Sequence, residues 1–146
     1  MIDRKFIGHR LAPSTLTLDR TRLRYFAKAI GETDPVYTDT AAARAAGHAD
    51  LPVPPTFLFA AELDSGATDR LLVELGIPIA KLLHGEQSFR YHRTLCAGET
   101  VQVQSSISDI YDKKGGKLEF AVKDSRVTDA RDQLVAELRT VLVVRH

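Results

Sequence analysis

The spacing of hydrophobic and polar positions changes near Gly85. Ahead of it, apolar residues recur at helical intervals; beyond it, they alternate. Residues 15–31 carry Leu16, Leu18, Leu23, Phe26, Ala27 and Ile30. From Leu23 onward this spacing fits one helix face, with Gly31 placed as a C-cap. Ser14 or Thr17 can serve as the N-cap. Arg20 stands three residues after Thr17, where the Glu of a capping box would be. Asp34 precedes Pro35, which pushes it into an extended or turn conformation. Asp39 or Thr38 can cap a short helix through TAAARAA, closed by Gly47. Pro54 and Pro55 interrupt the chain again. The stretch Thr56–Leu63, TFLFAAEL, predicts a helix that is apolar on most sides and therefore buried.

After Gly85 the segment EQSFRYHRTL places Phe89 and Tyr91 among polar neighbours, which predicts a strand. Ala97-Gly98-Glu99 is a turn signal. VQVQSSISDIY alternates from Val101 to Ile107, and Lys113-Lys114-Gly115-Gly116 suits a hairpin turn. LEFAVKDSRV and LVAELRTVLVV complete three or four long strands. Their short connections favour antiparallel pairing and an α+β class. Alternation by itself is compatible with several α+β domains.

With 146 residues, the chain fits one domain, since about 100–200 residues per domain is usual. Hydrophobic residues make up 44% and charged residues 27%, the balance of a soluble globular protein. The net charge of +1 gives no electrostatic reason to expect nucleic acid as a partner. The single cysteine, Cys96, excludes an intrachain disulfide and fits a reducing, cytoplasmic setting. MIDRKFIGHRL lacks the apolar core of a signal peptide. No run reaches the ~18 apolar residues of a membrane span. No two of His9, His48, His84, His92 and His146 have metal-ligand spacing, so no metal site is expected.

Within the first half, Phe26 is followed by Gly31-Glu32-Thr33-Asp34-Pro35-Val36-Tyr37, then by Ala43 six positions on, and later by VPPTF at 53–57. This frame resembles the MaoC-like (R)-hydratase and dehydratase family, whose pattern is an aromatic residue, then G-D-x-N-P-[LIV]-H, then a small residue. The second half, LLHGEQSFRYHRTLCAGETVQV with GGKLEF and LVAELRTVLVV, is similar to the amino-terminal, FAS1-like dehydratase domain of bacterial fatty-acid dehydratase subunits. The resemblance spans nearly the whole chain. It implies a hot-dog fold, in which an antiparallel sheet wraps a central helix, over a single domain of residues 1–146.

The resemblance also implies a chemistry: interconversion of (3R)-hydroxyacyl and trans-2-enoyl thioesters, without a cofactor. Hydration needs water at C3 and a proton at C2. In the family an Asp and a His five residues later activate the water, and imidazole suits this because its pKa lies near neutrality. Here those positions are Glu32 and Tyr37. Glu32 keeps a carboxylate displaced by one methylene, and Tyr37, with a reference pKa of about 10, is a poor base at neutral pH. The implied catalytic positions are thus degenerate, and the chain is placed in the substrate-binding subset of the family. Asp34 stands where the family has a loop-ordering Asn. Substrate binding is expected from Asp34, Pro55, Thr56, Phe57 and Phe59, with N–H groups beyond the Pro-Pro corner facing the thioester carbonyl.

Each of these residues also has a structural reading. Glu32 can be a solvated or capping residue, Asp34 a turn former, Tyr37 a packing residue and Pro54-Pro55-Thr56 a helix start. Arg90, Arg93, Lys113, Lys114 and Lys117 can meet the phosphates of coenzyme A or of an acyl carrier protein, or can be a solvated sheet edge. The expected partners are an acyl-CoA or acyl-carrier-protein thioester and a second hot-dog chain. That chain is either another copy, giving a homodimer, or a catalytic MaoC-like subunit, giving a heterodimer. A non-catalytic acyl-CoA-binding or scaffold protein is the alternative, and a hot-dog thioesterase is a third reading.

Overall fold

The structure, a computed structural model describing residues 1–146, contains one five-stranded antiparallel sheet. Its strands are β1 (Ser14–Thr17), β2 (Leu82–Tyr91), β3 (Thr100–Lys113), β4 (Leu118–Asp129) and β5 (Leu134–Arg145). They lie in the order β1-β3-β4-β5-β2. Helices α1 (Arg20–Ala29), α2 (Thr40–Ala45), α3 (Phe57–Asp64) and α4 (Ala67–Glu74) all fall between β1 and β2. Those two strands form opposite edges, so the helical segment must cross the sheet to join them. It crosses the inner face, with α3 against the sheet. This is the hot-dog architecture implied by the resemblance.

Three expectations need correction. The helix expected over 15–31 begins only at Arg20. Ser14–Thr17 is instead an edge strand paired with Thr100–Val103, as suits the period-2 burial of Ser-Thr-Leu-Thr and its β-branched residues. The N-cap is Asp19, not Ser14 or Thr17; its carboxylate accepts the Thr21 and Arg22 N–H groups. The expected long strands are present as β2, β3, β4 and β5, and this short edge strand adds a fifth to the sheet. Finally, α3 is not covered on all sides. Phe57, Leu58, Ala61 and Glu62 are buried, Phe59 and Ala60 are half-buried, and Leu63 and Asp64 are exposed. Helix α4 was not foreseen, although Ala67, Leu71 and Leu75 recur at i, i+4 and are buried.

The predicted capping of α2 by Asp39 holds, with the Ala41 N–H donating to its carboxylate. The hairpin at Lys113–Gly116 holds as well. Lys114, Gly115 and Gly116 have φ of 55°, 64° and 83°, a left-handed run that two glycines accommodate without a Cβ clash.

Alternation assigns the faces of each strand. On the inner face of β3 stand Val101, Val103, Ser105 and Ile107. A one-residue bulge between Ile107 and Asp109 then turns Ile110 inward, so both isoleucines join one core cluster. In β4 the inward residues are Ala121, Lys123, Ser125 and Val127, and Leu118, Phe120 and Val122 face out. The inner face carries two apolar clusters. One gathers α1, α2 and α3 on Val101, Val103, Val127, Ala136 and Leu138. The other gathers α4, Ile2 and Leu11 on Ile107, Ile110, Ala121, Leu142 and Val144. Between them runs a polar row: Ser105, Ser125 with Lys123, and Thr140.

A second bulge, between His84 and Glu86 in β2, contains Gly85. A Cβ there would lie 2.7 Å from Val143 Cγ2 and 3.2 Å from the Val141 carbonyl oxygen. Both neighbours are stiff, one a β-branched side chain and the other backbone. Gly85→Ala should therefore cost about 1–3 kcal/mol, the usual cost of overpacking, measurable as a lower urea midpoint at unchanged m-value.

Candidate functional site

Helices α1 and α3 pack antiparallel. Arg22, near the start of α1, forms an ion pair with Asp64 at the end of α3. Phe26, a turn further along α1, meets Phe57 at the start of α3 edge-on, with centroids 5.3 Å apart. The loop that leaves α1 therefore emerges at the N-terminal end of α3. The fold thus brings Glu32–Tyr37 and Pro55–Phe57 to one end of the central helix.

The loop is organised by its own side chains. Gly31 adopts φ +73° to end α1. Glu32 Oε1 accepts the N–H groups of Thr33 and Asp34 at 2.8 and 2.9 Å. Asp34 Oδ1 accepts the Val36 N–H at 3.0 Å, opening a 3-10 turn over Pro35–Tyr37. Arg24 Nε donates to the Thr38 carbonyl at 2.8 Å. Asp34 is exposed, while Glu32 and Tyr37 are half-buried. The Tyr37 hydroxyl has no hydrogen-bond partner within the chain. One oxygen of Glu32 is thus engaged by backbone, and no imidazole stands near it on the loop.

The other half of the site is the start of α3. Pro54 is buried, and Pro55 and Thr56 are exposed. The Phe57 N–H donates to the Pro54 carbonyl at 2.9 Å and the Phe59 N–H to the Thr56 carbonyl at 3.2 Å. Thr56, the N-cap, makes no side-chain capping bond. The Leu58 N–H has no acceptor in the chain, although Leu58 is fully buried. An orphan donor at a buried helix N-terminus is costly unless something else accepts from it. The helix dipole adds partial positive charge at the same place. Phe57 is a core residue, 2% exposed. Phe59 leans across to His84 on β2, centroids 4.8 Å apart.

Two residues beyond those expected shape this end of α3. Tyr91, at the end of β2, donates its hydroxyl to the Pro55 carbonyl, tying the Pro-Pro corner to the sheet. Its alternation with Phe89 predicts a strand, but nothing in the sequence pairs it with Pro55. Burial pushes the Tyr91 phenol up to about 12. The second is Glu62, one turn beyond Leu58, buried against Lys123. A lone charge in TFLFAAEL was the available sign.

The basic residues do not form one phosphate-binding patch, and of the five only Arg90, exposed on the edge strand β2, lies on a sheet edge. Arg93 is held by Glu99 and Asp129 at 2.7 and 3.1 Å. Lys113 sits over the Tyr111 and Phe120 rings, and Lys114 and Lys117 belong to the hairpin between two central strands. His92 lies just past β2, with Nε2 2.9 Å from Glu137. No three His, Cys, Asp or Glu side chains converge as metal ligands do.

Comparison with known proteins gives the family and agrees with the fold. The profile of the FAS1-like dehydratase domain region matches residues 5–138. A UPF0336 protein of Streptomyces griseus subsp. griseus is 34% identical over 145 residues, covering 99% of this chain and 95% of that protein. The chain belongs to the FAS1-like dehydratase domain family. Among solved structures, the fold is similar to the truncated HadBC (3R-hydroxyacyl-ACP dehydratase) complex of Mycobacterium tuberculosis. The TM-score is 0.81 at 22% identity, over 94% of this chain and 96% of that one. It is also similar to the ChsH1–ChsH2 complex of the same organism, with TM-score 0.70 and 22% identity over 94% and 89% of the two chains.

The burial of Tyr91 generates a pH prediction. The native phenol ionises at about 12 instead of 10. The stability it contributes is complete below the unfolded value near 10 and is lost as pH rises to the folded value. Wild type should therefore lose more stability than Tyr91→Phe between these two pH values, as read by urea unfolding. At neutral pH the variant should be less stable by about 1 kcal/mol, the usual worth of one hydrogen bond.

Proposed function

We propose that this chain is the substrate-binding component of an acyl-thioester hydratase/dehydratase, working beside a MaoC-like subunit that carries the catalytic Asp and His. The observation that carries this reading is the asymmetry of the site. The electrophilic half is present: a buried Leu58 N–H with no acceptor, at the positive end of α3. The basic half is weakened: Glu32 is engaged by its own loop, and Tyr37 replaces the family's His.

In this reading the Leu58 N–H donates to the thioester oxygen. Such a bond strengthens as negative charge develops there during attack at C3, or during loss of the C2 proton in the reverse direction. The Thr56 hydroxyl and the exposed Pro55 face flank the thioester, and Phe59 borders the acyl chain. Asp34 shapes the loop beside it. Tyr37 contributes surface and its hydroxyl, not a base. The water-activating pair comes from the second chain.

The open edge of β2 and the half-buried Phe59 and Phe89 support a two-chain assembly, because an unpaired edge beside apolar surface invites a partner. Two of the structurally similar proteins, HadBC and ChsH1–ChsH2, are themselves complexes. Charge does not distinguish coenzyme A from an acyl carrier protein as the thioester's bearer.

The test is crotonyl-CoA hydration by the pure chain and by the chain co-expressed with a MaoC-like partner bearing Asp and His. The pure chain should be slow, the pair fast, and Tyr37→Phe in the pair nearly unchanged. Full activity of the pure chain would overturn the division of labour. So would a loss on the order of 100-fold in Tyr37→Phe, the size of a general acid or base contribution. Binding of acyl-CoA without turnover in any pairing would favour the non-catalytic binding protein instead.

A further inference from the structure

The charged group buried beneath the sheet has no part in the chemistry described so far. Glu62 is 2% exposed. Its Oε2 accepts from Lys123 Nζ at 3.0 Å, and the two side chains are among the most buried in the molecule. Its Oε1 accepts from the Ser105 hydroxyl at 3.0 Å and from the Ser125 hydroxyl. Ser105 and Ser125 are cross-strand partners whose hydroxyls lie 2.9 Å apart. One carboxylate on α3 is therefore held from β3 and β4 at once.

A buried ion pair is weak support for stability, because desolvation offsets most of the attraction, and apolar replacements of similar volume are often as stable. What such a group supplies is direction. Helix α3 is apolar on nearly every side, and apolar contact is non-directional. Without Glu62, its buried face would allow small slides and rotations over the valines and leucines below. The remaining ties lie at its ends: the Tyr91 bond to Pro55 and the exposed Arg22–Asp64 pair. Exposed pairs hold geometry weakly.

Leu58 and Glu62 are four residues apart and share one face of the helix. The anchored residue thus stands about one turn, roughly 6 Å along the axis, from Leu58. A slide of α3 by one residue would carry the Leu58 N–H about 1.5 Å along the axis, enough to break a hydrogen bond to a substrate held by the rest of the site.

We propose that Glu62 and Lys123, with Ser105 and Ser125, are positioning residues: they fix α3 over the sheet so that the Leu58 N–H meets the thioester oxygen. The inference rests on the reading of that N–H given under Proposed function. It assigns to the buried pair a role in alignment and not in net stability.

The experiment follows the Leu58 amide in a 1H–15N spectrum as butyryl-CoA, which cannot be hydrated, is added to the chain with its co-expressed partner. In wild type the Leu58 proton should move downfield as it bonds the thioester oxygen. In Glu62→Leu/Lys123→Leu, the melting temperature should equal or exceed that of wild type, and the downfield movement should be lost. Ser105→Ala/Ser125→Ala keeps the ion pair and removes both hydroxyl bonds; it should show a reduced movement and serves if the first variant does not fold. A folded variant of either kind with the wild-type Leu58 movement overturns the positioning role alone. A pair important only for stability would lower the melting temperature and leave the movement intact. If the wild-type Leu58 amide does not respond while butyryl-CoA binds elsewhere or not at all, the thioester reading fails, and the positioning role with it.

Discussion

Helix α3 is apolar on nearly all sides and cannot be stable facing water. Fully burying a Leu or Phe side chain is worth about 1.5–3 kcal/mol, and Phe57, Leu58 and Ala61 together commit this helix to the inner face of the sheet. The rest of the molecule follows from that burial. Strands β1 and β2 stand at opposite edges, so the intervening chain must cross the inner face, and α3 is the part able to lie against it. Helix α1 then packs antiparallel on α3 through Phe26 and Phe57. This places the Glu32–Tyr37 loop at the N-terminal end of α3. The juxtaposition of loop and Pro-Pro corner is therefore a consequence of where one short helix is buried.

Under the proposed function the two halves of the site are unequal: backbone at the start of α3 supplies the electrophilic half, and side chains of the Glu32–Tyr37 loop stand where the family has its basic pair. The loop itself is a well-capped turn. Glu32 reaches back to accept from the Thr33 and Asp34 N–H groups, Asp34 accepts from Val36, and Asp39 accepts from Ala41, so these carboxylates satisfy backbone donors that would otherwise lack partners.

The two faces of the sheet also differ. The inner face is apolar, interrupted by one polar row that anchors Glu62. Part of the outer face carries the stacked Tyr111 and Phe120 beneath Lys113, beside Val122, Val141 and Val143. Another part carries charge, with Arg139 gripping Asp124 through two hydrogen bonds. The apolar residues of LEFAVKDSRV that mark it as a strand are thus on its outer side. Its inward positions include Lys123 and Ser125, which pattern alone would have assigned to solvent.

By itself the sequence determined the class of fold, the hairpin at Lys113–Gly116, the Asp34-Pro35 turn, the capped short helix after Asp39 and the buried character of TFLFAAEL. Each is set by local chemistry: a proline before which the helix is disfavoured, glycines that allow positive φ, a carboxylate two residues from a free N–H, or a period of apolar residues. Family resemblance picked out the loop and the Pro-Pro corner, but not their geometry. Only the tertiary structure decided that Ser14–Thr17 is an edge strand, since a four-residue strand exists only where β3 offers it hydrogen bonds. Only the tertiary structure joined Tyr91 to Pro55 and Glu62 to Lys123, partners 36 and 61 residues apart. Such pairs leave no periodic trace in a chain. A buried polar group reads as a surface residue until the fold brings its partner to it, because burial without that partner would cost more than the fold could sustain.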